Sequence, residues 1–94
     1  MGFHIWGKNK FGEDCGFFHY NIADKDRPLH KVLGVGYLKE DSKELVRNYS
    51  IGDLLKAKSE LLPISNTLSE QDFLDKCLLS SKESNNNPIT ITFN

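Results

Sequence analysis

The sequence predicts one α+β domain over residues 1–94, a small antiparallel or mixed sheet of roughly three to five strands with two helices packed on one face. Three observations indicate this fold. Alternating β-forming residues lie near both ends of the chain, and two segments of its second half have helical periodicity behind capping signatures. A chain of 94 residues also has room for only one modest core.

The N-terminal strands are predicted at residues 2–6 and 15–22, and the glycine-bracketed residues 7–14 between them suit the loop of an antiparallel hairpin. Successive side chains of a strand point to opposite faces of its sheet. One face of the predicted hairpin therefore carries Phe3, Ile5, Phe18, Tyr20 and Ile22. The other face carries His4, Trp6, Phe17 and His19.

The middle third of the sequence leaves alternatives open. Pro28 suits the first turn of a helix with Asp26 at its cap, yet residues 29–38 also suit a strand. Gly34 and Gly36 argue against a helix that continues past them. Residues 41–44 resemble a capping box, but residues 39–43 also suit a hairpin turn between strands at 35–38 and 45–49, and we favour the hairpin.

Two helices are predicted more clearly. Residues 50–53 form a capping signature before a helix that Pro63 ends, with its apolar face at Ile51, Leu54, Leu55, Lys58, Leu61 and Leu62. Residues 69–72 open a second helix, with its apolar face at Phe73, Leu74, Cys77 and Leu78.

The C-terminal residues 89–93 alternate strictly between apolar residues and threonine, which predicts a strand that follows a flexible loop at 82–88. Such a strand at an edge could pair with a partner, but we expect it to complete the protein's own sheet beside residues 2–6. Ile89, Ile91 and Phe93 would then point inward, and Thr90 and Thr92 would face solvent.

Composition makes several classes of partner improbable. A net charge of −1 and a pI of about 6.3 give no overall field that attracts nucleic acid or anionic membranes. No apolar run approaches the roughly 20 residues that span a bilayer, and the N-terminus resembles no secretion signal. Because only two cysteines are present and they are far apart in sequence, we expect a reducing compartment and a cytoplasmic protein.

Metal and catalytic sites are incomplete in the sequence. His4, Cys15, His19 and His30 are candidate metal ligands, but Cys15 and His19 would lie about 13 Å apart along one strand face. We therefore expect no metal and no cofactor. Cys15 with a histidine could serve nucleophilic catalysis, yet no nucleophile motif surrounds it, and we expect Cys15 and Cys77 to be buried thiols. Gly34-x-Gly36 is only a fragment of a phosphate-binding pattern.

Aromatic residues give the positive indication of function. Six of the ten lie in the first fifth of the chain, namely Phe3, Trp6, Phe11, Phe17, Phe18 and Tyr20. If one hairpin face fills the core, Trp6, Phe17 and His19 lie on the other face. We predict that these three residues and Arg27 contact a protein partner, because aromatic and arginine side chains dominate protein interfaces. The alternative is that a further helix or loop covers that face.

The first thirty residues resemble a group of small uncharacterised bacterial and phage proteins. The resemblance rests on the opening Met1-Gly2-Phe3, on Gly7-x-Asn9 and Gly16-x-Phe18, and on Arg27-Pro28-Leu29. This chain has Ala23-Asp24-Lys25-Asp26 where that group has tryptophans. The resemblance implies a bacterial or mobile-element origin and carries no activity.

The leading hypothesis is therefore a small binding or inhibitor protein without enzymatic activity, which modulates a host protein, as a phage or mobile-element accessory factor would. The second is a small-molecule or nucleotide-binding homo-oligomer, because a monomer of this size has little volume for a pocket of about 300 Å³ or more. The third is an enzyme built on Cys15 and a histidine.

Overall fold

Four antiparallel strands form one open sheet in the computed structural model, which describes residues 2–21, 27–35, 44–65 and 68–94. The strand order is β2-β1-β4-β3. The predicted α+β class is confirmed, with a third, one-turn helix added. The elements are β1 (Gly2–Lys8), β2 (Asp14–Asn21), α1 (Pro28–Val32), β3 (Leu45–Tyr49), α2 (Ile51–Leu61), α3 (Leu68–Glu83) and β4 (Ile89–Phe93).

The N-terminal hairpin has the predicted arrangement, but its first strand is longer, its second strand begins one residue earlier, and its loop is shorter. Ile5 pairs with Phe18, and Trp6 pairs with Phe17. Between Gly7 and Lys8 the register shifts by one residue, so that Cys15 is an extra, bulged residue of β2. The loop is held by the Asn9 side chain, whose Oδ1 accepts hydrogen bonds from two backbone amides at 2.9 and 3.0 Å.

Strand β4 completes the protein's own sheet, as predicted. Phe93 pairs with Ile5 of β1 on one side and with Leu45 of β3 on the other. The side chains of Ile89, Ile91 and Phe93 are fully buried in a core that includes residues of all three helices. Thr92, which was expected to face solvent, is also buried at its central position in the sheet.

Helix α2 begins at the predicted capping box, in which Ser50 Oγ accepts from the Asp53 amide and the Asp53 carboxylate accepts from the Ser50 amide. Its buried face contains Leu54, Ala57 and Leu61. The prediction placed Leu55 and Leu62 on this face, but they are 50 % and 52 % exposed. Leu55 lies about 100° around the helix from Leu54, and Leu62 follows the last helical residue.

Helix α3 buries the predicted face, formed by Phe73, Leu74, Cys77 and Leu78. The helix continues to Glu83, into the region that was predicted to be a loop. An ordered turn follows, in which Asn85 and Asn86 adopt left-handed backbone conformations. The Asn86 amide donates to the Ser81 carbonyl at 2.8 Å, so this turn returns the chain tightly to β4.

The described residues in the middle of the chain form the predicted short helix and the predicted strand at 45–49. Pro28 opens helix α1, but the N-cap residue is Arg27, and Asp26 lies outside the described residues. Gly34 ends the helix at φ +75°, a conformation that favours glycine, and the Val35 amide donates to the His30 carbonyl. Residues 45–49 form the predicted strand, whereas its predicted hairpin partner at 35–38 lies largely outside the described residues.

Two paired glycines allow helix α3 to approach the hairpin closely. Gly7 and Gly16 face each other across β1 and β2. A Cβ atom at Gly16 would lie 3.1 Å from the buried ring of Phe73, and one at Gly7 would lie 3.0 and 3.1 Å from the sulfur atoms of Cys15 and Cys77. The absence of these two Cβ atoms therefore fixes how the helix sits on the sheet.

Gly16→Ala should lower the free energy of unfolding by about 1–3 kcal/mol, because the added methyl group must displace the ring of Phe73 in a packed core. Gly52→Ala is the matched control. Gly52 is exposed in the first turn of α2, so an alanine there should be neutral or slightly stabilising. Equal effects of the two substitutions in urea unfolding would contradict the close contact.

Candidate functional site

The hairpin face that points away from the core carries the aromatic and imidazole side chains that the sequence placed there. Trp6, Phe17 and His19 all lie on it, together with His4. The His4 and His19 rings stack at 4.6 Å between centroids, and the Phe17 ring lies 5.8 Å from His4. Phe17 is 63 % exposed, whereas Trp6 is half-buried. We call these four residues the aromatic face.

Helices α1, α2 and α3 contribute their buried residues to the core on the other side of the sheet. The described residues therefore place no helix over the aromatic face. At the far edge of the same sheet face, Val46 of β3 is 53 % exposed. The exposed apolar surface thus reaches both edges of the sheet, with the larger rings near the β2 edge.

The backbone of β2 adds a second feature to the same residues. The His4 amide donates to the Asn94 carbonyl at 2.7 Å, and the His4 carbonyl accepts from the Asn94 amide at 2.8 Å. Both His4 groups therefore point toward β4 and away from β2. His19 lies opposite His4, so the backbone N–H and C=O groups of His19 point outward from the sheet edge. Because hydrogen bonding alternates along an antiparallel pair, the backbone groups of Phe17 also point outward. Those of Phe18 and Tyr20 bond to β1.

A cleft of about 520 Å³ opens beside this edge. Phe17 and Trp6 form its apolar side, and Lys8, Asp14 and Lys76 give it charges of both signs. Its other lining residues are Cys15 and Gly16. The cleft and the outward backbone groups lie next to each other on β2, so an extended ligand at the edge would also reach the cleft.

Arg27 is not one of the residues of the aromatic face, and its contact with a partner stays a prediction. It is 6 % exposed, because it caps helix α1, whose next three residues are all buried. Its positive charge helps to lower the pKa of the neighbouring His30 imidazole.

A buried polar cluster, which the sequence did not indicate, joins helix α3 to β2 and α1. Glu70 is buried in the first turn of α3 and accepts hydrogen bonds from the Tyr20 hydroxyl and, at 3.0 Å, from Ser65 Oγ. The Tyr20 oxygen also accepts from the Leu29 amide at 3.1 Å. The only sequence signal was the acidic first turn of α3, which is ordinarily a solvent-exposed feature. The side chains of this cluster are buried, and their hydrogen bonds hold the three elements together.

His30 is a buried histidine within the core. Its ring lies 5.7 Å from the Tyr20 ring and 5.4 Å from the Phe93 ring, and neither ring nitrogen has a hydrogen-bond partner among the described residues. Burial, followed by the positive charge of Arg27, lowers the pKa of His30 from 6.5 to about 4. The imidazole is therefore neutral at pH 7 and packs as an aromatic ring.

Cys15 occupies a different position from the one predicted. The bulge turns its sulfur atom to the helix side of β2, 4.0 Å from Cys77 Sγ, whereas His19 projects from the opposite face. The two residues therefore do not share a face. Among the described residues, no three His, Cys, Asp or Glu side chains group in a way that could hold a metal ion.

The predicted pairing of Cys15 with a histidine as a catalytic pair has no geometric support among the described histidines. His4 and His19 lie on the aromatic face, and His30 lies in the core against Tyr20 and Phe93. The described residues also line open clefts of about 400, 450 and 520 Å³. None of the described helices is long and apolar enough to cross a membrane.

His30 should make the stability of the protein depend on pH. The unfolded chain takes up a proton near pH 6.5, and the folded chain does so only near pH 4, so stability is fullest above pH 6.5 and is lost as the pH falls toward 4. The loss attributable to this group should be about 3 kcal/mol. Urea unfolding at a series of pH values measures it.

The control for this prediction is a comparison of two variants. His30→Leu should remove most of the decrease between pH 6.5 and 4, whereas His19→Gln, at an exposed site, should retain it. An unchanged pH profile in His30→Leu would show that the imidazole is not held neutral by the core.

Comparison of the chain with models of protein families, with curated proteins and with solved structures finds no match. The function is therefore inferred from the geometry of the aromatic face and the β2 edge.

Proposed function

We propose that the protein binds a protein partner at strand β2, where an extended segment of the partner pairs with the sheet edge and places an apolar side chain against Phe17. This is a binding function without catalysis. The single observation that supports it is the coincidence of two features in Phe17 and His19: their side chains lie on the aromatic face, and their backbone groups point outward from the edge.

The backbone supports an extended occupant. Peptides that add a strand to an exposed sheet edge gain affinity from main-chain hydrogen bonds and specificity from alternate side chains. Strand β2 is eight residues long, against five for β3 at the other edge. The β2 edge therefore offers the longer ladder and the adjoining cleft of about 520 Å³.

The side chains support a protein as the occupant. Interface residues with large energetic effects are typically aromatic, and they lie in pockets with a polar rim. Phe17 and Trp6 provide the apolar part of the cleft, and Lys8 and Asp14, which pair across the strands, provide a rim of balanced charge.

Charge argues against nucleic acid at this site. Binding of a polyanion depends on several lysine or arginine contacts to phosphates. The cleft has two lysines, Lys8 and Lys76, and one of them lies opposite the carboxylate of Asp14. The whole chain has a net charge of −1.

The resemblance of the first thirty residues to small bacterial and phage proteins extends this proposal. The partner would be a host protein, and occupation of its extended segment by β2 would modulate its activity. A cytoplasmic location follows from the same proposal.

Phe17→Ala should weaken partner binding by at least about tenfold, because the exposed ring is the apolar contact of the edge. Its free energy of unfolding should change by less than about 1 kcal/mol, as for other exposed positions. Val46→Ala is the matched control, since Val46 is exposed on the same face at the opposite edge. Proteins retained from host extract by immobilised wild type and both variants are quantified by mass spectrometry, and the Kd of each purified candidate is measured by calorimetry.

A proline substitution tests the backbone part of the proposal. The His19 amide points outward, so His19→Pro keeps the β1–β2 hydrogen bonds but removes a donor that a partner strand needs. We expect His19→Pro to bind the same partner at least about tenfold more weakly than His19→Ala, with similar circular dichroism spectra for both.

Three results would overturn the proposal. The partner could bind Phe17→Ala as tightly as the wild type, or only the Val46→Ala substitution could abolish binding. The third result is an equal affinity of His19→Pro and His19→Ala for the partner. Sedimentation of the purified protein tests a second copy as the occupant. If the wild type is a dimer and the Phe17→Ala variant is a monomer, the occupant of the β2 edge is a second copy of the chain and not a host protein.

A further inference from the structure

We propose that Cys15 and Cys77 form a reversible intramolecular disulfide when a hydroperoxide reaches Cys15 through the clefts beside β2. Cys15 is the residue that is oxidised first, and Cys77 is the residue that closes the bond. This proposal does not rest on the proposed binding function.

The geometry places the two thiols together although they are separated by 62 positions in the sequence. Their sulfur atoms lie 4.0 Å apart, and both lie directly over Gly7. A disulfide requires about 2.05 Å between the sulfur atoms, so they must approach each other by about 2 Å. Cys15 is the bulged residue of an edge strand, where the backbone adjusts more easily than in a regular ladder.

The two thiols differ in accessibility. Cys15 is half-buried and lines two clefts, of about 400 and 520 Å³, that are large enough for a small peroxide. Cys77 is 0 % exposed on the inner face of α3. An oxidant from solvent therefore reaches Cys15, while Cys77 is protected until the Cys15 sulfur has reacted.

The local environment also distinguishes their ionisation. The hydrogen bond between the two thiols, assisted by Ser80 and opposed by burial, lowers the pKa of the Cys15 thiol below its usual range. The same contact and burial raise the pKa of the Cys77 thiol. Thiolates react with peroxides and protonated thiols do not, so the accessible sulfur atom is also the more nucleophilic one.

The reaction balances in two steps. The Cys15 thiolate attacks one oxygen of the hydroperoxide, the O–O bond breaks, and Cys15 becomes a sulfenic acid while the alkoxide or hydroxide leaves and takes up a proton. Cys77 then attacks the Cys15 sulfur, the S–O bond breaks, and hydroxide leaves with the Cys77 proton as water. A thiol reductant restores both cysteines by thiol–disulfide exchange.

The experiment treats the full chain with stoichiometric hydrogen peroxide at pH 7 and follows intact mass and peptide maps. We expect wild type to lose two hydrogen atoms, to show a peptide linked through Cys15 and Cys77, to remain a monomer, and to regain its mass with a thiol reductant. The native chain should form the link at least about tenfold faster than the chain in guanidinium chloride, because folding holds the thiols together.

Two variants assign the roles, with circular dichroism to verify their folding. Cys77→Ser should accumulate a Cys15 sulfenic acid that a cyclic 1,3-diketone traps, whereas Cys15→Ser should give at least about tenfold less trapped product. If native and unfolded wild type close the link equally fast, or if wild type gives only intermolecular dimers or sulfinic acid, the proposal is wrong. If the diketone traps a Cys77 sulfenic acid in Cys15→Ser as fast as it traps a Cys15 sulfenic acid in Cys77→Ser, the assigned order of oxidation is wrong.

Discussion

The contact between helix α3 and the glycine pair of the hairpin determines how the rest of the structure is arranged. Gly7 and Gly16 lie opposite each other, and each leaves space that a side chain would otherwise fill, one for two sulfur atoms and the other for the Phe73 ring. Since glycine is the only residue type without a Cβ atom, this close approach fixes which face of β1 and β2 is covered by the helix.

Two consequences follow for the surface of the molecule. Once the glycines face the helix, alternation along the strands directs Trp6, Phe17 and His19 to the uncovered face. Pairing of His4 with Asn94 of the C-terminal segment sets the phase of the hydrogen bonds, so that the outward backbone groups of β2 belong to Phe17 and His19. The glycine contact also brings Cys15 over Gly7 and against Cys77, so both proposed sites depend on the same packing.

Local sequence patterns predicted most of the helices and strands. The features that the sequence did not predict arise from tertiary contacts. Alternation placed Phe17 and His19 correctly, and the Ser50–Asp53 capping box was confirmed in detail. The bulge at Cys15 has no local signal, because it arises from pairing with β1, and it invalidated the shared face with His19. The burial of Arg27 and Glu70 was not predictable, because charged side chains are usually exposed and these two are buried by tertiary packing.

Amide hydrogen exchange by NMR tests directly whether Phe17 and His19 present side chain and backbone together at an open edge. In the free protein at neutral pH, the amides of Phe18 and Tyr20 should be protected at least about a hundredfold more strongly than those of Phe17 and His19, after correction for intrinsic rates. Equal protection of all four amides would show that the β2 edge is already paired, and it would contradict the account.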